Sequence, residues 1–90
     1  MNTPVILRRL AQAEFDDAVD WFEQRRPGRG PAFAAAVRAV LTRITASPAM
    51  YPEVYQDVRE APVPGYQYVV YYVASPTKID VVSVFHTSRD

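Results

Sequence analysis

Apolar and polar residues follow two different periods along this chain, and the changes between them mark out its elements. The short apolar run Val5, Ile6 and Leu7 predicts a strand within Pro4 to Leu10. From Ala11 the period lengthens. Phe15, Ala18, Val19 and Phe22 stand at i, i+3, i+4 and i+7, one stripe of a helix. Asp16, Asp17, Asp20 and Glu23 fall mostly off the stripe, and Arg25 and Arg26 close the segment where cations suit the helix dipole. Pro27 to Pro31, reading PGRGP, ends that helix and turns the chain. A second helix is predicted from about Pro31 to Ala46. Its stripe is Phe33, Val37, Val40, Leu41 and Ile44, and alanines at 34, 35, 36 and 39 favour the helix and allow close approach. Ser47-Pro48 stops it. After a loop, Val54 to Glu60 predicts a further strand, and Ala61 to Gly65 is a proline-broken connection.

Between Gly65 and Arg89 the period is two. Tyr66, Tyr68, Val70 and Tyr72 fall on one face of a strand, with Gln67, Val69, Tyr71 and Val73 on the other. The next run puts Ile79, Val81, Ser83 and Phe85 opposite Asp80, Val82 and Val84. Ser75-Pro76-Thr77 supplies the turn of an antiparallel hairpin. Both faces are rich in apolar groups. One is expected to meet the helices, the other part of a partner or target. The order β-α-α-β-β-β predicts an α+β fold: a helical hairpin packed on a small twisted, mainly antiparallel sheet. A single domain over residues 1–90 is expected, with both helical stripes buried against the sheet.

Composition narrows the chemistry. At 49% hydrophobic content, 90 residues suit one ordered globule with a modest core. With no cysteine and one histidine, a disulfide framework and a cysteine or multi-histidine metal site are excluded, and neither metal nor other cofactor is expected. No apolar run approaches a membrane span, and no basic region precedes an apolar one at the N-terminus, so a cytoplasmic protein without membrane attachment is expected. Ten basic residues balance ten acidic ones. Such a chain lacks the broad positive field of a phosphate-backbone binder, and no direct sequence-specific nucleic-acid binding is expected.

Several side chains admit two readings. Tyr66, Tyr68, Tyr71 and Tyr72 form an aromatic surface for a partner, or pack their rings and leave the hydroxyls wet. Trp21 lies beside the first helical stripe, as a core edge or an interface anchor. His86 is an acid/base group or a packed strand-end histidine. Arg59, Arg89 and Asp90 form a structural ion pair near the sheet end or, second to that, have a functional role. Arg25, Arg26 and Arg29 are a local basic patch or a solvated turn.

A set of pieces in order resembles the RelE/ParE superfamily of bacterial toxins from type II toxin–antitoxin modules. They are an acid-rich helix ending in a Pro-Gly turn (Glu23 to Gly28), Phe33 opening a second helix, and Ser-Pro at 47–48. Arg59 on the next strand, the strand Gly65-Tyr66-x-Tyr68-x-x-Tyr71-Tyr72, and the ending His86-x-x-Arg89-Asp90 complete the set. The last two pieces are more similar to ParE than to RelE. RelE-type members cut mRNA on the ribosome without a metal. Their pattern has an arginine where Gln67 stands, a Lys-Arg pair where His86 and Thr87 stand, and a tyrosine a few residues beyond Arg89. ParE-type members act on DNA gyrase and are not nucleases. The resemblance therefore implies a toxin that binds DNA gyrase, catalyses nothing, and is neutralised by a cognate ParD-like antitoxin. Trp21, Tyr66, Tyr68, Tyr71 and Arg89 are its partner-binding candidates. Two alternatives remain: a ribosome-dependent mRNA endonuclease using Arg59, His86 and Arg89, and a non-toxic interaction module of the same fold.

Overall fold

Backbone pairing in the computed structural model, which describes residues 3–88, builds one five-stranded sheet carrying a helical hairpin. The elements are β1 (Val5–Leu7), α1 (Arg9–Arg25), α2 (Arg29–Ala46), β2 (Glu53–Tyr55), β3 (Val58–Pro62), β4 (Tyr68–Ala74) and β5 (Ile79–His86). Across the sheet the order is β1-β5-β4-β3-β2, antiparallel except for the β1–β5 pair. The expected α+β class and the expected succession of elements are present. The one strand expected over 54–60 is folded back on itself. Gln56, at φ 50, opens a turn that makes β2 and β3 an antiparallel pair, and β3 continues through Pro62.

The helical stripes meet one face of the sheet. Phe22, Phe33, Val37, Val40 and Ile44 are buried with Tyr68, Val70, Tyr72, Ile79, Val81 and Val84, while Phe15, Val19 and Leu41 pack at the margin of that core. Burial of this apolar surface supplies most of what holds the two layers together. The strand alternation holds in β4 and breaks in β5. Tyr72 pairs with Val81, yet Tyr71 pairs with Ser83, so Val82 is one extra residue. Past that bulge the phase reverses. Val84 and His86 face the helices, opposite Val70 and Tyr68, and Phe85 turns to the outer face beside Val69 and Tyr71. The expected grouping of Ser83 and Phe85 with Ile79 and Val81 is thereby corrected.

The turn between the helices is built by one carboxylate. Glu23 accepts the backbone N–H of Gly28 at 2.9 and 3.2 Å and that of Gly30 at 3.0 Å, occupying donors that open α2. Gly28 adopts φ 92, and Gly30 lies so close to α1 that a Cβ there would sit 2.8 Å from the Val19 carbonyl oxygen. At the β4–β5 turn, Ser75 Oγ accepts the N–H groups of Thr77 and Lys78.

Candidate functional site

Unequal strand lengths create the site. β1 stops at Leu7, opposite Val81, where the Arg8 N–H bonds the Val81 carbonyl, whereas β5 runs on to His86. Among the described residues, no strand flanks β5 on that side from Val82 to His86. α1 crosses there, and Glu14 stands in for the missing strand: its Oε1 accepts the Ser83 hydroxyl at 2.8 Å and the Val84 N–H at 2.9 Å. A buried strand amide left without a partner is costly, which gives the carboxylate its structural work.

Beyond Glu14 the surface opens into a cleft of about 320 Å³ between α1 and the ends of β4 and β5. Glu14, Asp17, Ala18 and Trp21 form the helical wall, and Tyr68, Val84, Phe85 and His86 form the sheet wall. Trp21 is 40% exposed; its ring meets Phe22 edge-on at 5.1 Å, and the Arg25 guanidinium lies 4.2 Å from the ring centre. Tyr68, only 5% exposed, is a floor residue packed on Phe22, Phe33 and the His86 ring. His86 Nδ1 accepts the Ser88 N–H at 3.2 Å, which in the neutral ring leaves the proton on Nε2. Asp17 is exposed and has no hydrogen bond or ion pair among the described residues. Among the described residues, two carboxylates thus face a cleft with no lysine or arginine in its lining. Among the described residues, no group of histidine, aspartate and glutamate is placed to hold a metal ion.

The residues expected to form a ribonuclease set are not brought together. Arg59 pairs with Tyr72 on one flank of β4, and His86 pairs with Tyr68 on the other. Four residues along a strand and two strand spacings across separate their backbones by roughly 16 Å. The Arg59 guanidinium is already engaged, donating to the carbonyls of Tyr51 at 2.6 Å and Ala49 at 3.4 Å and pairing with Glu53 at 3.3 Å. The ion-pair partner of Arg59 is thus Glu53, while Arg89 and Asp90 lie outside the described residues. With Tyr72, whose hydroxyl donates to the Pro48 carbonyl at 2.7 Å, Arg59 pins the loop after α2.

The other candidates are spread over the molecule. Tyr66 is half-buried against Phe22 and Phe33 on the helical side. Tyr71 lies on the outer face, its hydroxyl donating to Glu60 at 2.9 Å, and its pKa is raised by burial first and by the Glu60 carboxylate second. Tyr72 is raised by burial too, against the opposing pull of Arg59. Arg25, Arg26 and Arg29 are exposed at the helical turn, with Arg29 5.9 Å from the Phe22 ring centre. Glu14 and Asp17 did not stand out in the sequence. The partners of Glu14 are 69 and 70 residues away, and Asp17 has none among the described residues.

Fold and cleft together define a small two-layer α+β domain with a surface site at an open strand end. The same fold occurs in a chain of the chromosomal ParDE TA system from P. aeruginosa. That match has a TM-score of 0.82 and 12% identity over 96% of this chain and 97% of that one. No curated protein sequence is a significant match. The family described as the ParE toxin of type II toxin–antitoxin system, parDE, matches residues 5–90. The chain belongs to the ParE toxin family. Among the described residues no helix is long and apolar enough to cross a membrane.

Proposed function

We propose that this protein is the toxin of a type II module, arresting growth in the cytoplasm by binding DNA gyrase and held inactive by a cognate ParD-like antitoxin. The observation that carries this reading is the family match over residues 5–90. The separation of Arg59 from His86 favours gyrase over RNA as the target. Metal-free RNA cleavage needs a base, an acid and phosphate-stabilising cations within hydrogen-bond reach of one another. Arg59 is committed to a loop and distant from His86, and Gln67 and Thr87 carry no charge. Each absent cation costs on the order of a hundredfold in rate. The antitoxin's tail is expected to fold across the helical hairpin and a sheet edge, with a negative heat-capacity change on binding.

Cells expressing the protein without antitoxin should filament and accumulate DNA damage while translation continues. Purified protein should disturb gyrase supercoiling of plasmid DNA. Primer extension on mRNA translated in its presence provides the opposing readout. Codon-phased cuts that vanish in His86→Ala and Arg89→Ala would overturn the gyrase reading in favour of the ribosome-dependent nuclease.

A further inference from the structure

We propose that the cleft between α1 and the open end of β5 is an arginine site, filled by an arginine side chain of the antitoxin; the identity of that partner rests on the function proposed above. Four features of the cleft select this chemistry. First, it is negative among the described residues: Asp17 has no hydrogen bond or ion pair there, Glu14 uses only Oε1, and the only basic group they place in the lining is the imidazole of His86. Second, it has aromatic surface, with Trp21 on the helical wall and Tyr68 in the floor, while Phe85 borders it with its ring on the outer face. Attraction to a cation strengthens where such surface displaces water. Third, the described residues offer no metal-binding group there, so a bare divalent ion is not the fitting occupant. Fourth, the Trp21 ring already has one guanidinium 4.2 Å from its centre, that of Arg25.

Those features separate arginine from its rivals. An acidic side chain would meet two carboxylates. An apolar one would bury Asp17 without a partner, which is unfavourable. Lysine would satisfy charge as a point, whereas a planar guanidinium both pairs with a carboxylate in two-pronged fashion and stacks on an aromatic ring. At about 320 Å³ the cleft has room for the whole side chain with bridging water.

Two measurements test the proposal. The first is the affinity of the purified protein for the product of the neighbouring antitoxin gene, compared with Asp17→Asn and Asp17→Lys. Asp17 is exposed and makes no bond to any of the described residues, so both variants should keep the wild-type melting temperature. Asp17→Asn should weaken binding by roughly tenfold or more, Asp17→Lys further still, and added salt should shrink the difference. The second uses Trp21, the single tryptophan, as a fluorescent reporter. A blocked Gly-Arg-Gly tripeptide should give a saturable change that Asp17→Asn abolishes and the uncharged citrulline analogue fails to give. If the antitoxin binds wild type and Asp17→Asn equally and the tripeptide is silent, the arginine site is refuted while the proposed function stands. If the antitoxin does not bind at all, the proposed function and the antitoxin as occupant fall, and a tripeptide response would still support the arginine site. A stronger tripeptide response in Arg89→Gln would assign the cleft to the chain's own C-terminus and overturn the partner assignment.

Discussion

Replacing Gly30 by alanine tests how the helical hairpin is closed. A Cβ at this position would lie 2.8 Å from the Val19 carbonyl oxygen, 3.0 Å from Glu23 Cβ and 3.1 Å from Glu23 Oε1. The first neighbour is backbone and yields only if α1 moves away from α2. The other two belong to the side chain that accepts the Gly28 and Gly30 N–H groups, so displacing it uncaps α2. Alanine is the better helix former by about 1 kcal/mol in a helix interior, and by less in a first turn. Against that stand overpacking of about 1–3 kcal/mol and the weakening of hydrogen bonds to a charged group worth about 1.5–3 kcal/mol each when intact. The steric and hydrogen-bond costs exceed the propensity gain, and a net loss of about 1–3 kcal/mol is expected, since Glu23 is exposed and water recovers part of the lost bonding.

For a domain of this size each kcal/mol lowers the melting temperature by about 4–8 °C. Gly28 provides the control. It has φ 92 but open space around it, so Gly28→Asn, which tolerates the left-handed region, should cost under about 1 kcal/mol. Thermal or urea unfolding of the two variants side by side decides the matter. Gly30→Ala melting at or above wild type would refute the account of the turn as a close backbone approach.

Glu14→Ala should destabilise the fold by about 1–3 kcal/mol by stripping the Val84 N–H and Ser83 hydroxyl of their acceptor. Hydrogen exchange at the Val84 amide should accelerate beyond the global change, and an unaltered local rate would show that the carboxylate does not guard it. The phenols of Tyr71 and Tyr72 have pKa values raised above 10.0. The folded state therefore holds their protons more tightly than the unfolded chain does, and their contribution, intact below about pH 10, is lost as pH climbs through the folded values. Urea midpoints should fall on going from about pH 9 to pH 11, less steeply in Tyr71→Phe and Tyr72→Phe; equal slopes in all three proteins would contradict the burial assigned to these rings.

Much of this architecture was readable from spacing, and each miss has its own physical cause. The stripes of α1 and α2 were legible because a helix concentrates its apolar residues on one side, and Phe22, Phe33, Val37, Val40 and Ile44 all lie in the core. β4 was legible for the same reason at period two. β5 was not, because Ile79 to Phe85 carries apolar residues on both faces, and such a run does not specify where a bulge falls. Val82 is therefore the extra residue without any local mark, and the side chains after it change faces. The β2–β3 turn was hidden by its chemistry. It places Gln56 at φ 50 where glycine or asparagine would have announced a reversal. Glu14 was invisible because a polar residue on a helix reads as solvated until the strand it serves is known.

The cleft owes its existence to the same bulge and to the brevity of β1. With three residues β1 covers β5 only as far as Val81, and α1 begins at Arg9 before the chain can extend further. A β1 long enough to reach Val84 would satisfy that amide, release Glu14 and close the groove. The bulge then sets what the groove contains, since without it Phe85 and not His86 would face the helical side above Tyr68. Beneath the opening, Phe22, Phe33, Tyr66 and Tyr68 are packed ring against ring at 4.9–6.1 Å, which gives the cleft a fixed floor. Tyr68 accordingly reaches an incoming group only from that floor, while Trp21 and Asp17 stand at the rim, where a partner is met first. An aromatic rim and floor, with a carboxylate at the entrance that is unpaired among the described residues, favour a partner group that brings both charge and a flat surface.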